Sequence, residues 1–149
     1  MTPRIRFTFP AEQVSADAEL LWYQVPKTSA AITEAPPCRG TAHHGIYSGN
    51  ECVLLLEEVR RLARENATAK VTRGEVAFTW MAAGSSYGVN SDFAEICWFY
   101  DIDAEPRMWE GPNPVNVFAR VIAPDDFYGL CLRMRREGVK PCHLDVARR

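Results

Sequence analysis

Apolar and polar residues alternate along much of this chain, and that alternation predicts a protein built mainly of strands. Arg4–Phe9 reads Arg-Ile-Arg-Phe-Thr-Phe, which places Ile5, Phe7 and Phe9 on one side of the pleat. Pro10 ends this run, because proline has no N–H to give to a ladder. Val14–Trp22 is a second run, with Val14, Ala16, Ala18 and Leu20 on one face, and Ala11–Gln13 suits a connecting hairpin. Thr41–Ser48 and Glu51–Leu56 flank Gly49-Asn50, a dipeptide that tolerates positive φ and predicts a two-residue turn. Gly74–Met81, Glu95–Tyr100, Val115–Ile122 and a short His143–Val146 bring the tally to about eight strands.

Two segments break this period. Pro26–Ala35 opens on proline and stops before Pro36-Pro37, as a short helix does. Pro124–Gly138 carries the clearer helical stripe, with Asp125 or Asp126 at its start, Leu130 and Met134 on one face and Gly138 at its stop. Glu57–Asn66 is charged and reads as a helical turn or a surface excursion, while Ala82–Asp92 is a loop rich in Gly, Ser and Asn. Asp101–Pro114, with its prolines and acidic residues, reads as one long loop. The expected fold is mainly β: a closed eight-stranded barrel with two short helices over its open ends. A ferredoxin-like sandwich, which needs only four strands, fits this order less well.

Length and charge narrow the classes. The 149 residues make one domain, 1–149, and 17 basic against 19 acidic side chains leave a net charge of −2. No basic field invites nucleic acid, and no apolar run approaches the roughly 20 residues of a membrane span. Met1–Pro10 lacks the uninterrupted apolar stretch of a secretory signal, so a cytoplasmic location is expected. Cys38, Cys52, Cys97, Cys131 and Cys142 are odd in number and without CxxC spacing, which predicts buried free thiols.

Several segments taken in order carry a family resemblance. They are Pro26-Lys27-Thr28, His44-Gly45-Ile46-Tyr47-Ser48-Gly49, Gly74-Glu75-Val76-Ala77-Phe78, Glu95-Ile96-Cys97-Trp98-Phe99-Tyr100 and Pro114-Val115-Asn116-Val117-Phe118-Ala119. The chain resembles, from about Ile5 to Val146, a bacterial family of uncharacterised small proteins with a cyclophilin-like barrel. The resemblance implies an eight-stranded barrel with two helices, like that of prolyl isomerases. It does not imply their reaction, since fold and function separate easily. Prolyl isomerases of that fold use a Phe-His-Arg segment and a Gln-Gly-Gly-Asp-like segment, and this chain has neither. Arg120, after Phe118-Ala119, lies on a different strand pattern.

The chemistry-bearing residues are few. His44 is the best acid–base candidate, because only histidine titrates near neutrality unperturbed; the alternative is a hydrogen-bonded strand histidine at a barrel rim. Ser48 lies four residues on, ~13 Å away along an extended strand, too far for a Ser–His dyad without a bend, and reads equally as a turn residue. Glu95 opens a very apolar strand, and at a barrel mouth desolvation would raise its pKa; a solvated strand end is the alternative. Cys97 shares the face of Glu95 and Phe99 and reads as core. Asn116, with Phe118 on its face, either orients a ligand amide or satisfies the neighbouring backbone. Tyr47 and Tyr100 would wall a pocket, alongside Ser48, Asn116 and Phe118 as substrate contacts. No metal-ligand spacing and no phosphate loop occurs, so no cofactor is expected, and Arg133-Met134-Arg135-Arg136 reads as a solvated helix face. The expected function is small-molecule binding, with acid–base chemistry by His44 and Glu95 on a small polar metabolite of the cyclic amide or ureido class. The alternatives are a peptide- or protein-binding module using the Asp101–Pro114 aromatic loop, and residual prolyl isomerase activity. A homodimer is possible from the aromatic content alone.

Overall fold

The computed structural model describes residues 3–58, 60–122 and 125–147. Eight strands close into an antiparallel barrel. They are β1 (Arg4–Phe9), β2 (Val14–Leu20), β3 (Cys38–His44), β4 (Gly49–Leu55), β5 (Glu75–Met81), β6 (Phe93–Ala104), β9 (Asn116–Ile122) and β10 (Lys140–Ala147). Around the barrel the order is β1-β10-β3-β4-β6-β5-β9-β2, and β7 (Arg107–Met108) with β8 (Gly111–Pro112) forms a separate small hairpin. The helices are α1 (Pro26–Glu34) and α2 (Asp125–Glu137). This is the mainly β, closed eight-stranded, two-helix architecture that the sequence predicts.

The barrel interior follows the period-two pattern. Ile5, Phe7 and Phe9 of β1, Ala16, Ala18 and Leu20 of β2, and Ile96, Trp98 and Tyr100 of β6 all point inward. Each large inward side chain contributes about 1.5–3 kcal/mol by leaving water. The helices close the two ends. Phe127 of α2 stacks within 6.2 Å of Phe7, Phe9 and Trp98, and the Trp98 indole N–H donates to Cys131 Sγ at 3.2 Å. At the other end Ile32 of α1 reaches the same core. All five cysteines are buried and free.

A second apolar cluster lies on the outside of the wall. Ala77, Cys97, Phe99 and Val117 face away from the interior and pack with Val115, Val53, Leu21 and Val71. This arrangement follows from connectivity. β6 and β9 both run antiparallel to β5, so they point the same way, and the chain between them must return along the barrel's length. Residues 105–115 make that return and carry the β7–β8 hairpin; residues 56–74 make the corresponding crossing from β4 to β5. The two crossings meet at the Thr68–Val115 bridge. The described residues of Glu57–Asn66 carry no helical turn and form the surface excursion; residue 59 lies outside the described residues.

Two expectations need correction. β6 continues to Ala104 rather than ending at Tyr100, because Gly49 pairs with Ala104 and extends the ladder through a bulge. For the same reason Gly49-Asn50 is not a hairpin tip. The β3–β4 ladder ends at His44–Cys52, and Gly45–Ser48 form the connection. The Asn50 amide donates to the Ile102 carbonyl, and Ser48 holds Glu105 and Arg107, so this stretch is drawn to β6 instead of folding back on β3.

Candidate functional site

His44 ends β3 at the α2 end of the barrel, and its two ring nitrogens have different partners. Nδ1 lies 2.9 Å from the Gly45 carbonyl, which can only accept, so Nδ1 carries the proton of the neutral ring. Nε2 then accepts from the Tyr100 hydroxyl at 2.7 Å. The same hydroxyl is 3.3 Å from Asn50 Oδ1, and Arg135 of α2 donates to Asn50 Oδ1 at 3.0 Å. The chain Gly45–His44–Tyr100–Asn50–Arg135 thus joins β3, β6, β4 and α2. An open cavity of about 300 Å³ lies against it, lined by His44, Gly45, Ile46, Gly49 and Arg135.

The electrostatics favour a neutral imidazole. Burial pushes the His44 pKa below its ordinary value and the Arg135 charge adds to this, against the Gly45 carbonyl, which favours the cation. When Nε2 takes a proton, it becomes the donor to the Tyr100 oxygen. The Tyr100 proton then turns to Asn50 Oδ1. A proton gained at His44 is therefore accommodated by a rotation of one hydroxyl.

Glu95 stands elsewhere. It is five residues from Tyr100 on β6 and on the opposite face, so it projects from the outer wall and not at a barrel mouth. Burial, followed by the nearby Glu51 charge, raises its pKa to about 8. Glu51, only 6% exposed, lies on the same outer face of β4. Burial raises it to about 7, while its hydrogen bonds with Cys97 and Ser48 act in the other direction. Between them Cys97 is pushed well up by burial and by both carboxylates, which keeps it a thiol and excludes it as a nucleophile at neutral pH.

The remaining candidates are dispersed. Ser48 accepts from the Arg107 N–H at 2.9 Å and anchors the hairpin segment. Tyr47 is partly exposed and meets Trp109 edge-on at 6.3 Å. Phe118 is fully buried in the barrel core. The Asn116 amide is occupied at the α1 end: it accepts from the Glu65 N–H at 2.9 Å and donates to Thr28 Oγ1 at 3.2 Å and to the Ala63 carbonyl at 3.1 Å. Arg120 is exposed and paired with Glu75 at 3.3 Å on the outside of the barrel. Of the predicted site residues, then, His44 and Tyr100 come together, and Glu95, Asn116 and Phe118 do not join them.

Sequence reasoning missed Asn50, Glu51 and Arg135. Arg135 sits in a basic run whose neighbour Arg133 does serve a solvated role, pairing with Glu137 at 3.7 Å. Glu51 did leave a signal. It opens Glu-Cys-Val-Leu-Leu, a run apolar on both faces, which implies that the outer face is covered.

A family model for a protein of unknown function, DUF3830, matches residues 7–146. The chain belongs to this family. No curated protein matches the DUF3830 chain. Among solved structures, that of McbB in complex with tryptophan is similar, with a TM-score of 0.61 and 16% identity over 97% of this chain. The match covers 44% of McbB, so this DUF3830 protein spans less than half the length of that neighbour. At this identity the likeness is one of fold.

Proposed function

We propose that this protein binds a small polar molecule in the cavity beside His44 and that His44 performs acid–base chemistry on it. The observation that carries the reading is the Tyr100 hydroxyl bonded to His44 Nε2 at the edge of that cavity. The basic nitrogen is Nε2. As the Tyr100 hydroxyl turns its proton to Asn50 Oδ1, Nε2 is freed to take a proton from the ligand as a general base near pH 7, and the ring it leaves protonated is held by the Tyr100 oxygen. Arg135 gives the cavity a fixed positive charge for a carbonyl, ureido or carboxylate oxygen, consistent with a cyclic amide or ureido ligand. The similar fold of McbB, whose structure holds tryptophan, supports small-molecule binding without locating it. In this reading the barrel is of cyclophilin type without the isomerase reaction, and the protein acts in the cytoplasm. Glu95 transfers no proton to this ligand.

The test is a thermal-shift screen of cyclic amides, ureido compounds and amino acids, run in parallel on wild type and His44→Ala. A ligand at 100 times its Kd raises stability by about 2.7 kcal/mol, a shift easily read. A hit lost in His44→Ala, and then turnover of that ligand, is the expected outcome. A screen in which no hit is lost in His44→Ala sinks the assignment.

A second reading rests on Trp109, 64% exposed at the tip of the β7–β8 hairpin between Tyr47 and Tyr87. Such a ridge suits a binding module for a peptide or protein. Recovery of one defined partner by wild type but not by Trp109→Ala, with no ligand found at His44, would favour it.

A further inference from the structure

A second cavity of about 300 Å³ opens at the α1 end of the barrel, opposite His44. Its floor is apolar: Ile5, Ile32, Leu56 and Leu144. Charged groups stand at its edge. Two of the carboxylates there are already engaged by Arg39, since Glu57 accepts the Arg39 N–H at 2.9 Å and Asp145 pairs with its guanidinium at 2.9 Å. The remaining pair is Arg60 and Glu58, which only approach to 4.0 Å. Arg60 Nε is buried with no hydrogen-bond partner. The Arg60 side chain as a whole keeps 33% of its surface exposed at the cavity, so its outer guanidinium N–H groups can meet an acceptor there, and the best acceptor is a carboxylate. Glu58, still well exposed, offers the complementary charge beside it.

We propose that this cavity binds an α-amino acid with an apolar side chain. The side chain lies on the Ile5–Ile32–Leu56–Leu144 floor, the carboxylate takes the exposed N–H groups of the Arg60 guanidinium, and the ammonium meets Glu58. Opposite charges at the edge of one apolar cavity match a zwitterion with an apolar tail better than they match a simple anion or amine. The volume lies at the lower end of the range for small-molecule sites, which suits a ligand of amino-acid size.

Titration calorimetry tests this with L-leucine and L-phenylalanine against glycine, 4-methylpentanoate and isopentylamine. The two apolar amino acids are expected to bind and glycine is not. The two half-ligands should each bind roughly tenfold or more weakly than leucine, because each leaves one charged partner unmet. Arg60→Met should weaken leucine and 4-methylpentanoate alike, and Glu58→Gln should weaken leucine only. Should Arg60→Met fail to fold, Arg60→Lys keeps the charge but removes the guanidinium fork and should still weaken leucine. His44→Ala separates the two ends of the barrel, and leucine affinity should survive it. Absence of heat with either apolar amino acid at about 10 mM (a Kd too weak to count as a site) overturns the proposal. So does undiminished leucine binding in folded Arg60 variants, or its loss in folded His44→Ala.

Discussion

The Tyr100 hydroxyl lies 2.7 Å from His44 Nε2, and this contact places the titratable ring of β3 under the control of β6. Tyr100 is 2% exposed, so its hydroxyl is held rather than free to turn to bulk water. With Nδ1–H committed to the Gly45 carbonyl, the state of Nε2 decides which way the Tyr100 proton points. One atom therefore reports the protonation state of the candidate site.

Removing the Arg135 charge should raise the His44 pKa. Burial is the larger cause of its depression and Arg135 the smaller, so Arg135→Gln recovers only part of the ordinary value. An NMR titration of the imidazole C–H signals reads this directly. The sign for stability follows. The folded pKa lies below the unfolded one, so between them the unfolded state holds more protons. His44 thus lowers stability as pH falls below about 6.5. Arg135→Gln should lessen that loss, and an unchanged or lower His44 pKa would refute the coupling.

Asn116 and Glu65 should prove to be stability residues at the α1 end. The Glu65 carboxylate accepts from the Lys27 N–H at 3.0 Å and the Thr28 N–H at 2.8 Å, and thereby caps a helix whose own N-cap residue, Val25, has no capping side chain. Asn116 in turn holds the Glu65 backbone. Glu65→Ala should cost about 1–2 kcal/mol. Asn116→Ala should cost about 2–3 kcal/mol by leaving buried partners unmet. Urea melts check both. Ligand binding at His44 should be unaffected, and a selective loss of binding in Asn116→Ala with stability intact would return that residue to the substrate.

The barrel was legible because its inward positions keep period two, as in Ile5, Phe7 and Phe9. The outer wall was less so. Phe93–Tyr100 is apolar on both faces, and a run of that kind does not say which face is the barrel interior. The pattern therefore reads Glu95 at a mouth, whereas it stands on the outer wall. The pairing of His44 with Tyr100, Asn50 and Arg135 was illegible for another reason. Those residues are 56, 6 and 91 positions away along the chain, and only closure of the barrel and docking of α2 bring them together.

Gly49 should resist substitution. Its φ is +77°, and a Cβ at this position would run into the Asp103 carbonyl oxygen across the ladder. Gly49→Ala combines a strained conformation with a clash against backbone that cannot swing aside. A loss of about 3 kcal/mol or more is expected in denaturant melts. Because Gly49 also lines the His44 cavity, weakened ligand binding should accompany it. Gly84, whose φ is the same but which has open space around it, is the control for strain alone, and Gly84→Ala should cost clearly less.

Glu51 and Glu95 should make the protein less stable as pH rises through neutrality. Both carboxyls have folded pKa values raised far above the ordinary 4.5, to about 7 and about 8, so the folded state holds more protons than the unfolded one between those limits. Their contribution is fully present below about pH 4.5 and is lost as pH climbs through 7 and 8. Glu95→Gln keeps the shape and removes the charge. At pH 8.5 it should gain on the order of 2 kcal/mol over wild type, with little difference at pH 5. It should also lower the Glu51 pKa, since neutralising one carboxylate relieves the other. Glu51→Gln should behave alike with a smaller gain, because its carboxyl also uses hydrogen bonds with Cys97 and Ser48 that an amide only partly replaces. Thermal melts from pH 5 to 9 on the three proteins decide the matter. Parallel pH profiles for all of them would mean that neither carboxyl is protonated in the folded state at neutral pH.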